Sequence, residues 1–370
     1  MGKTRKQIKL KNILFTLVAW AIVLFIINSL CGFVSKNTYV HVNAVNKKIA
    51  DKTFGYFEPN QHKRILFPGL KPYIVTVDSN GFRSVGVDSG DYLEKEDVFK
   101  ILCVGDSYTF GAFVDDEDSY PFRLQSFLQN HKKEAIVLNA GIGGGTASDY
   151  IYYLKEKGLA LKPDIVIMNF CPNDIKGILS SKAPLYEKMI QENQFSLFKT
   201  IKLLKIMRMF RRFEVNYKYH RYLIKIKDPV IKKILVNESK ELEDILRVAA
   251  FREGKKVTAP YDESLEKNWQ AYLASLDESI ELLRKENIRF IYFIYPNILT
   301  IYDRTDGLYQ DILKDFLDER GVEYIDLTPV FREQRENYFA LYNNPPRDFH
   351  LSGDSNQILA EEIYARLYAK

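Results

Sequence analysis

Ile101-Leu-Cys-Val-Gly-Asp-Ser-Tyr-Thr-Phe-Gly111 is the stretch from which the fold can be deduced. Its apolar residues belong to the run Phe99–Val104, which stops at Gly105-Asp106-Ser107. Such a run, ended by a glycine, predicts a buried strand that leads through a tight turn into a helix. Ser107 would then lie at the carboxyl end of the strand, where open α/β sheets bind their ligands. The alternative is that Ser107 only caps the helix that follows, as serine often does.

Apolar strand patterns and helix patterns alternate after this stretch. The sequence predicts strands at 99–104, 135–138, 164–170, 289–295 and 323–326, and helices near 119–129, 147–158, 307–319 and 356–368. This alternation is typical of an α/β domain whose parallel sheet is covered by helices on both faces. We therefore expect a three-layer αβα domain with a flavodoxin-like parallel sheet over residues 98–370, and functional loops at the carboxyl ends of its strands.

The composition of the 370-residue chain is that of a globular protein, with 46% hydrophobic and 27% charged residues. A net charge of only +5 argues against a nucleic-acid-binding protein defined by overall basicity. The three cysteines give no disulfide framework, and neither a Cys-x-x-Cys motif nor a histidine cluster indicates a metal site. We expect neither a metal nor a cofactor.

The N-terminal segment predicts a membrane anchor. Residues 1–12 contain several Lys and Arg residues and no acidic residue, and Ile13–Val34 carries no charge. As a helix, Ile13–Val34 would be about 33 Å long, enough for a hydrocarbon core of ~30 Å. The basic flank predicts a cytoplasmic N-terminus, a single transmembrane helix at 13–34 and an extracytoplasmic catalytic domain. A cleaved signal peptide is the alternative, although no convincing small-x-small cleavage site follows the apolar run.

Two further segments flank or interrupt the α/β pattern. Residues 35–97 contain short β-prone pieces and the turn signal Asn80-Gly81, and we interpret them as a small lead-in packed on the main domain. Residues 176–262 are predicted to be a helical insertion that is locally very basic. Between Lys199 and Lys233 it has twelve Lys or Arg residues against Glu214 and Asp228. The insertion is expected to be an ordinary solvated helical segment, a membrane-surface helix, a binder of an anionic polymer, or a lid.

Hydrolysis by a serine requires a base, an orienting carboxylate and donors for the developing oxyanion. Of the five histidines, only His350 lies in a loop after the last predicted strand, directly before the last helix. That loop can return to the carboxyl edge of the sheet, and Asp348 is close to His350 in the chain. The alternative is a satisfied, partly buried imidazole with a structural role.

Four short motifs of the chain resemble, in the same order, those of the SGNH or GDSL-type hydrolase family. They are Gly105-Asp106-Ser107, Asn139-Ala140-Gly141, Pro172-Asn173-Asp174 and Asp348-Phe349-His350. The resemblance covers about 98–175 and 287–368. It implies that Ser107 is the nucleophile, His350 the general base and Asp348 the carboxylate that orients it.

The same resemblance implies an oxyanion hole made of the backbone N–H groups of Ser107 and Gly141 and the side-chain amide of Asn173. The chain departs from the family pattern in two places. Cys171 stands where the third motif commonly has glycine, and only Phe349 separates the aspartate and histidine of the last motif, where two residues are frequent. Asp354 is a second candidate for the orienting carboxylate.

The predicted function is hydrolysis or transfer of an acyl group through an acyl-serine, with an O-acetyl group on an envelope polysaccharide as the first expected substrate. A lipid esterase and a catalytically silent glycan- or membrane-binding module are the alternatives. Gly141–Thr146 is rich in glycine, but it lacks the Lys of a phosphate-binding P-loop and the spacing of a dinucleotide fingerprint.

Overall fold

The computed structural model describes residues 2–34, 42, 44, 51–65, 67, 70–95, 97–131, 134–171, 174–175, 178, 217, 220–237, 241–257, 263–304 and 309–368. The chain divides into two compact units. The first comprises residues 1–40, 66–68 and 195–225, and the second comprises residues 41–65, 69–194 and 226–370. Every predicted catalytic residue belongs to the second unit.

Helix α1, Gly2–Val34, is the main described element of the first unit and runs unbroken through the predicted boundary between tail and anchor. Among the residues described, no helix has the length and apolar character needed to cross a membrane. The predicted anchor at 13–34 is therefore unsupported, and the predicted single-pass location in the cell membrane is wrong.

The second unit is built around a five-stranded parallel sheet. Its strands are β3 (Phe99–Gly105), β4 (Ala135–Gly141), β5 (Ile165–Phe170), β6 (Arg289–Ile294) and β7 (Glu323–Asp326). Their order is β4-β3-β5-β6-β7, with all neighbours parallel. This is the flavodoxin-like order, in which the first strand of the sheet lies next to a reversal of strand order. The predicted α/β class with a parallel sheet is confirmed.

Residues of the four strands β3 to β6 are buried almost without exception, whereas the edge strand β7 is only partly buried. Every residue of β4 and β5 is buried, and β3 has only its first residue exposed. Side chains alternate between the two faces of a strand, so continuous burial requires that both faces be covered. The apolar sequence runs therefore made the strands predictable, because no polar face interrupts them.

The helices of the second unit connect and flank these strands. They are α2 (Gly90–Leu93), α3 (Ser107–Phe110), α4 (Tyr120–Asn130), α5 (Ala147–Tyr153), α6 (Pro229–Asn237), α7 (Leu242–Val257), α8 (Glu263–Lys285), α9 (Ile298–Ile301), α10 (Tyr309–Glu319), α11 (Thr328–Glu333), α12 (Tyr338–Leu341) and α13 (Gly353–Tyr368). Short 3₁₀ turns occupy Asp116–Asp118, Leu159–Leu161 and Arg335–Asn337, and a π-helical turn, Leu154–Gly158, extends α5. Helices α6 and α7 agree with the helical character predicted for 176–262, but most of its basic stretch lies outside the described residues.

The lead-in forms a hairpin of β1 (Gln61–Ile65) and β2 (Tyr73–Val77), which are antiparallel. A further bridge joins Val77 to Arg83, and Arg83 in turn bridges to Asn139 of β4. The lead-in is thereby attached to the β4 edge of the parallel sheet.

A second hairpin near the C-terminus contains β8 (Tyr342–Asn344) and β9 (Asp348–Leu351). It is a separate two-stranded sheet. The sequence predicted an irregular loop here, whereas Asp348 and His350 lie on a strand.

Candidate active site

Ser107 is the first residue of α3 and is separated from strand β3 only by Asp106. The Asp106 carboxylate caps this helix by accepting the Tyr108 N–H at 3.0 Å, and Gly111 ends it with a left-handed φ of 80°. A Cβ on Gly105 would lie 2.1 Å from Oδ1 of Asn169, so only glycine fits at this turn. The strand, the glycine and the cap together present Ser107, which is half-buried, at the carboxyl edge of the sheet.

Asp348 and His350 reach Ser107 from strand β9. Residues two apart on a strand point to the same side, so a single intervening residue places the carboxylate beside the imidazole. This geometry accounts for the short Asp-x-His spacing. The carboxylate of Asp348 accepts the backbone N–H of His350 at 2.9 Å, which holds the two residues together at the start of the strand.

The structure brings together the three side chains that the sequence singled out. Nε2 of His350 lies 2.8 Å from Oγ of Ser107. Nδ1 of the same ring lies 2.8 and 2.9 Å from the two carboxylate oxygens of Asp348. With Nδ1–H donating to Asp348, the lone pair of Nε2 faces the serine hydroxyl, the arrangement in which an imidazole can remove its proton.

The Asp348 carboxyl is held in its ionised form. Burial by itself would raise its pKa, but the charge and hydrogen bonds of His350, with a smaller effect from Arg252, lower the pKa of Asp348 below its ordinary value. An ionised carboxylate can both fix the tautomer of the ring and stabilise the imidazolium that forms when the serine is deprotonated. Asp354, the second candidate, lies exposed in the first turn of α13.

Of the three predicted oxyanion donors, the structure describes Ser107 and Gly141. The N–H of Gly141 donates to Oδ1 of Asn139 at 3.0 Å, and a Cβ on Gly141 would lie 2.1 Å from the backbone nitrogen of Phe110. Gly141 is the last residue of β4 and allows β4 and α3 to approach closely. Asn173 lies outside the described residues. The Ser107 N–H is at the N-terminus of α3, where backbone donors have no partner within the helix.

The glycine turn after β4, Gly143–Gly145, lies beside the serine loop. The N–H of Ile142 donates to the Gly105 carbonyl at 2.9 Å, which joins the two loops. Gly143 and Gly144 are exposed, and Gly144 has a φ of +82°, a conformation that favours glycine. A Cβ on either residue would meet no heavy atom within 4 Å, so the backbone of Gly143 and Gly144 is accessible.

A buried polar network beneath Ser107 was not predicted from the sequence. Asn169 on β5 accepts the hydroxyl of Thr109 at 2.6 Å and donates to Asp106 at 3.4 Å, and Tyr120 donates to Thr109 at 3.3 Å. The signal for this network was Asn169, a polar residue inside the apolar strand Ile165–Phe170. Because its buried polar groups are paired with one another, the network fixes the turn that carries Ser107.

Asp174 organises the loop that contains the third motif. It is fully buried, accepts the hydroxyl of Tyr150 at 3.1 Å and accepts the Cys171 N–H at 3.1 Å. Burial, together with the nearby Asp106 carboxylate, raises the pKa of Asp174 well above its usual range. Asp174 is therefore a structural acid of the loop rather than a second partner of His350.

Aromatic rings contact the imidazole on two sides. The ring of Tyr108 stacks on His350 with centroids 4.7 Å apart, and Tyr295 stacks on the other face of Tyr108 at 4.2 Å. Phe113 meets His350 edge-on at 5.0 Å. These contacts restrict rotation of the imidazole and keep Nε2 directed at Ser107.

A buried arginine from the lead-in holds the loop that carries Phe113. Arg83 has a fully buried side chain and pairs with Asp116 at 2.8 Å. Its other N–H groups donate to backbone carbonyls of Ile74, Phe110, Gly111 and Val114. Phe113, inside this loop, has a φ of +67°, a strained value for a bulky residue. The lead-in thus supports one wall of the site.

Comparison with known protein families finds a match over part of the chain. A model of the GDSL-like lipase/acylhydrolase family matches residues 103–235, which include Ser107 but end before Asp348 and His350. Among curated proteins, none matches the chain. The family match supports an ester-hydrolysing serine hydrolase.

Several solved structures are similar to this chain. A catalytic mutant of Axe2, an acetylxylan esterase from Geobacillus stearothermophilus, has 16% identity and a TM-score of 0.41, covering 74% of this chain and 95% of that one. The acetyl xylan esterase AlAXEase has 18% identity and a TM-score of 0.40, covering 73% and 100%. LAE5, an α/β hydrolase from the metagenome of Lake Arreo, Spain, has 16% identity and a TM-score of 0.40, covering 72% and 94%.

Proposed function

We propose that this protein removes or transfers acyl groups from ester-linked substrates through an acyl-serine at Ser107. The observation that supports this most strongly is the unbroken hydrogen-bonded chain from Oγ of Ser107 to Nε2 of His350, and from Nδ1 to Asp348. Ser107 lies after strand β3, whereas Asp348 and His350 lie together on β9, and the chemistry requires a nucleophile, a base and a carboxylate in this order.

In the proposed reaction, His350 takes the proton of Ser107 as Oγ attacks the carbonyl carbon of the ester. Asp348 stabilises the imidazolium that results. The protonated His350 then donates to the alkoxy oxygen of the leaving alcohol, the ester bond breaks, and the acyl group remains on Ser107. Water, or an acceptor hydroxyl in a transferase, attacks the acyl-serine while His350 acts again as the base, and Ser107 is regenerated.

The oxyanion of the tetrahedral intermediate requires donors near Ser107. We propose the Ser107 N–H and the side-chain amide of Asn173, as the resemblance implies. The Gly141 N–H can take part only by giving up or sharing its bond to Asn139. The exposed backbone of Gly143 and Gly144 offers further N–H groups in the loop joined to Gly105.

We propose a short acyl group, with O-acetyl on a carbohydrate as the first substrate to test. What supports a short acyl chain is the packing around the imidazole, where Tyr108 and Phe113 lie against His350. Aromatic rings on two sides of the imidazole would reduce the space for a long acyl chain beside it. The acetyl esterases among the similar solved structures are named for substrates of this class.

The test is hydrolysis of acyl esters by the purified full chain. Aryl acetate, aryl octanoate and an acetylated xylan are compared, with release of phenol or acetate as the readout. We expect acetate esters to be cleaved fastest, and Ser107→Ala to lower kcat by about 10³-fold or more. Ser126→Ala is the matched control, since Ser126 bonds to its own helix at the Phe122 carbonyl and should leave the rate unchanged.

Two results would overturn the proposal. Ser107→Ala with the wild-type rate would exclude Ser107 as the nucleophile. A wild-type chain that is folded but cleaves none of these esters would favour a silent binding module. Faster cleavage of octanoate than acetate would instead replace the short-acyl assignment by lipid ester hydrolysis.

A further inference from the structure

The hairpin that carries Asp348 and His350 is separate from the five-stranded sheet. Its strands, Tyr342–Asn344 and Asp348–Leu351, are short. A two-stranded hairpin is at best marginally stable by itself in water. The position of Asp348 relative to Ser107 therefore depends on contacts that attach the hairpin to the rest of the unit.

One of these contacts comes from α7. Nη1 of Arg252 donates to the carbonyl oxygen of Pro346 at 3.3 Å and also to that of Arg347. Both carbonyls belong to the turn that leads directly into Asp348. Helix α7 packs against α9, the short helix that follows strand β6. Arg252 thereby connects the turn before Asp348 to the end of a sheet strand.

The same guanidinium acts electrostatically on Asp348. Among the described residues, the groups that act on this carboxylate include His350 on β9, Tyr73 on β2 and Arg252 on α7. Burial raises the pKa of Tyr73 to about 12, so its hydroxyl is neutral near pH 7. Of these three groups, Arg252 is the one whose positive charge is permanent.

We propose that Arg252 is a positioning residue for the esterase reaction: it fixes the turn that leads into Asp348 and adds a permanent positive charge near this carboxylate. Arg252 lies in the segment 176–262, outside the family resemblance and beyond the family match at 103–235. The helical insertion would then contribute to the reaction through the hairpin. The effect of Arg252 on the reaction rate rests on the proposed function, whereas its effect on the turn and on Asp348 does not.

The test compares Arg252→Gln and Arg252→Lys with Arg247→Gln. Arg247 lies on the same helix but is exposed, so its substitution is the matched control. Three quantities are measured on the full chain: kcat per active site, counted by fluorophosphonate titration; the pH profile of kcat/KM for an acetate ester; and the midpoint of the His350 ring signals in a ¹⁵N NMR pH titration.

For Arg252→Gln we expect kcat per active site to fall about 10- to 100-fold with little change in KM, as for a loosened catalytic geometry. The acid limb of the pH profile and the NMR midpoint of the Asp348–His350 pair should both move up, by about 0.5 pH unit, because removing a positive charge makes the pair easier to protonate. Arg252→Lys should keep the midpoint near the wild-type value while losing part of kcat. Arg247→Gln should change neither quantity.

The proposal is overturned if Arg252→Gln has the wild-type midpoint, or if Arg247→Gln shifts it equally. A purely structural role would lower the melting temperature and the number of active sites without moving the midpoint. If the wild-type chain cleaves no ester, the proposed function fails, while the NMR midpoint still decides the role of Arg252.

Discussion

Replacing Asp348 by asparagine tests the link between the hairpin and the reaction. The new amide can still accept the backbone N–H of His350, which Asp348 accepts at 2.9 Å. The change therefore leaves the turn geometry largely intact. Toward the ring, the amide can donate an N–H to Nδ1, which forces the proton of the neutral imidazole onto Nε2. Nε2–H then faces Ser107 and cannot take its proton.

The expected loss follows from these contacts. The bond from Nδ1–H to the carboxylate, at 2.8 to 2.9 Å, is charge-assisted and contributes about 1.5–3 kcal/mol. The unproductive tautomer and the unstabilised imidazolium add to this loss. For a Ser-His-Asp triad the total corresponds to about 10³- to 10⁴-fold in kcat, or roughly 4–5.5 kcal/mol at 1.36 kcal/mol per tenfold.

The assay is kcat for an acetate ester near pH 7, with Asp354→Asn as the matched control because Asp354 is an exposed carboxylate in the next helix. Thermal unfolding supplies a second readout. The folded pKa of Asp348 is lowered, so its carboxylate stabilises the fold above the unfolded value of ~3.9, and this stabilisation is lost as the pH falls below that value. The stability difference between wild type and Asp348→Asn should therefore shrink toward acid pH. A kcat within threefold of wild type for Asp348→Asn, or an equal loss for Asp354→Asn, would refute the assigned role of Asp348.

Two further predictions concern the scaffold of the site. Gly141→Ala should destabilise the protein by about 1–3 kcal/mol or more, because the added Cβ would lie 2.1 Å from the backbone nitrogen of Phe110. Gly143→Ala is the control: its added Cβ would meet no heavy atom within 4 Å, so the free energy of unfolding should change by less than about 0.5 kcal/mol. Equal effects in denaturant unfolding would argue against the close packing of β4 on α3. Arg83→Met should cost about 3–5 kcal/mol, since it removes the cation paired with the largely buried Asp116 carboxylate and the donor to several backbone carbonyls. The exposed Arg304→Met should cost about 1 kcal/mol or less. A small loss for Arg83→Met would show that the lead-in does not support the site.

The parallel sheet could be predicted because its strands are continuous apolar runs that end in glycine or polar residues. Strand β7 was predicted with the observed ends, and β3, β5 and β6 to within one residue. The predicted end of β4, residue 138, lies three residues before the observed end at Gly141, because Asn139-Ala-Gly141 has the composition of a turn. Its pairing with β3 overrides that local signal, since Gly105 and Gly141 are partners in the register.

The residues of the candidate site could be selected from the sequence, but their surroundings could not. The chain has only five histidines, and the position of His350 made it the candidate base. The order of the four motifs identified Ser107 as the candidate nucleophile. The short spacing between Asp348 and His350 was unexplained until the strand geometry of β9 was known. The contacts of Arg83 and Arg252 depend on the fold, because each guanidinium binds carbonyls many residues away. The predicted location in the cell membrane was wrong, since no described helix has the length and apolar character needed to cross a membrane.

Covalent labelling of the full chain with a fluorophosphonate, followed by peptide mass spectrometry, tests most directly whether Ser107 is an activated nucleophile. We predict a single adduct on the peptide that contains Ser107, and no adduct in His350→Ala, because the hydroxyl is then without its base. An unlabelled Ser107 in the folded wild-type chain, or equal labelling with and without the His350 imidazole, would contradict the account.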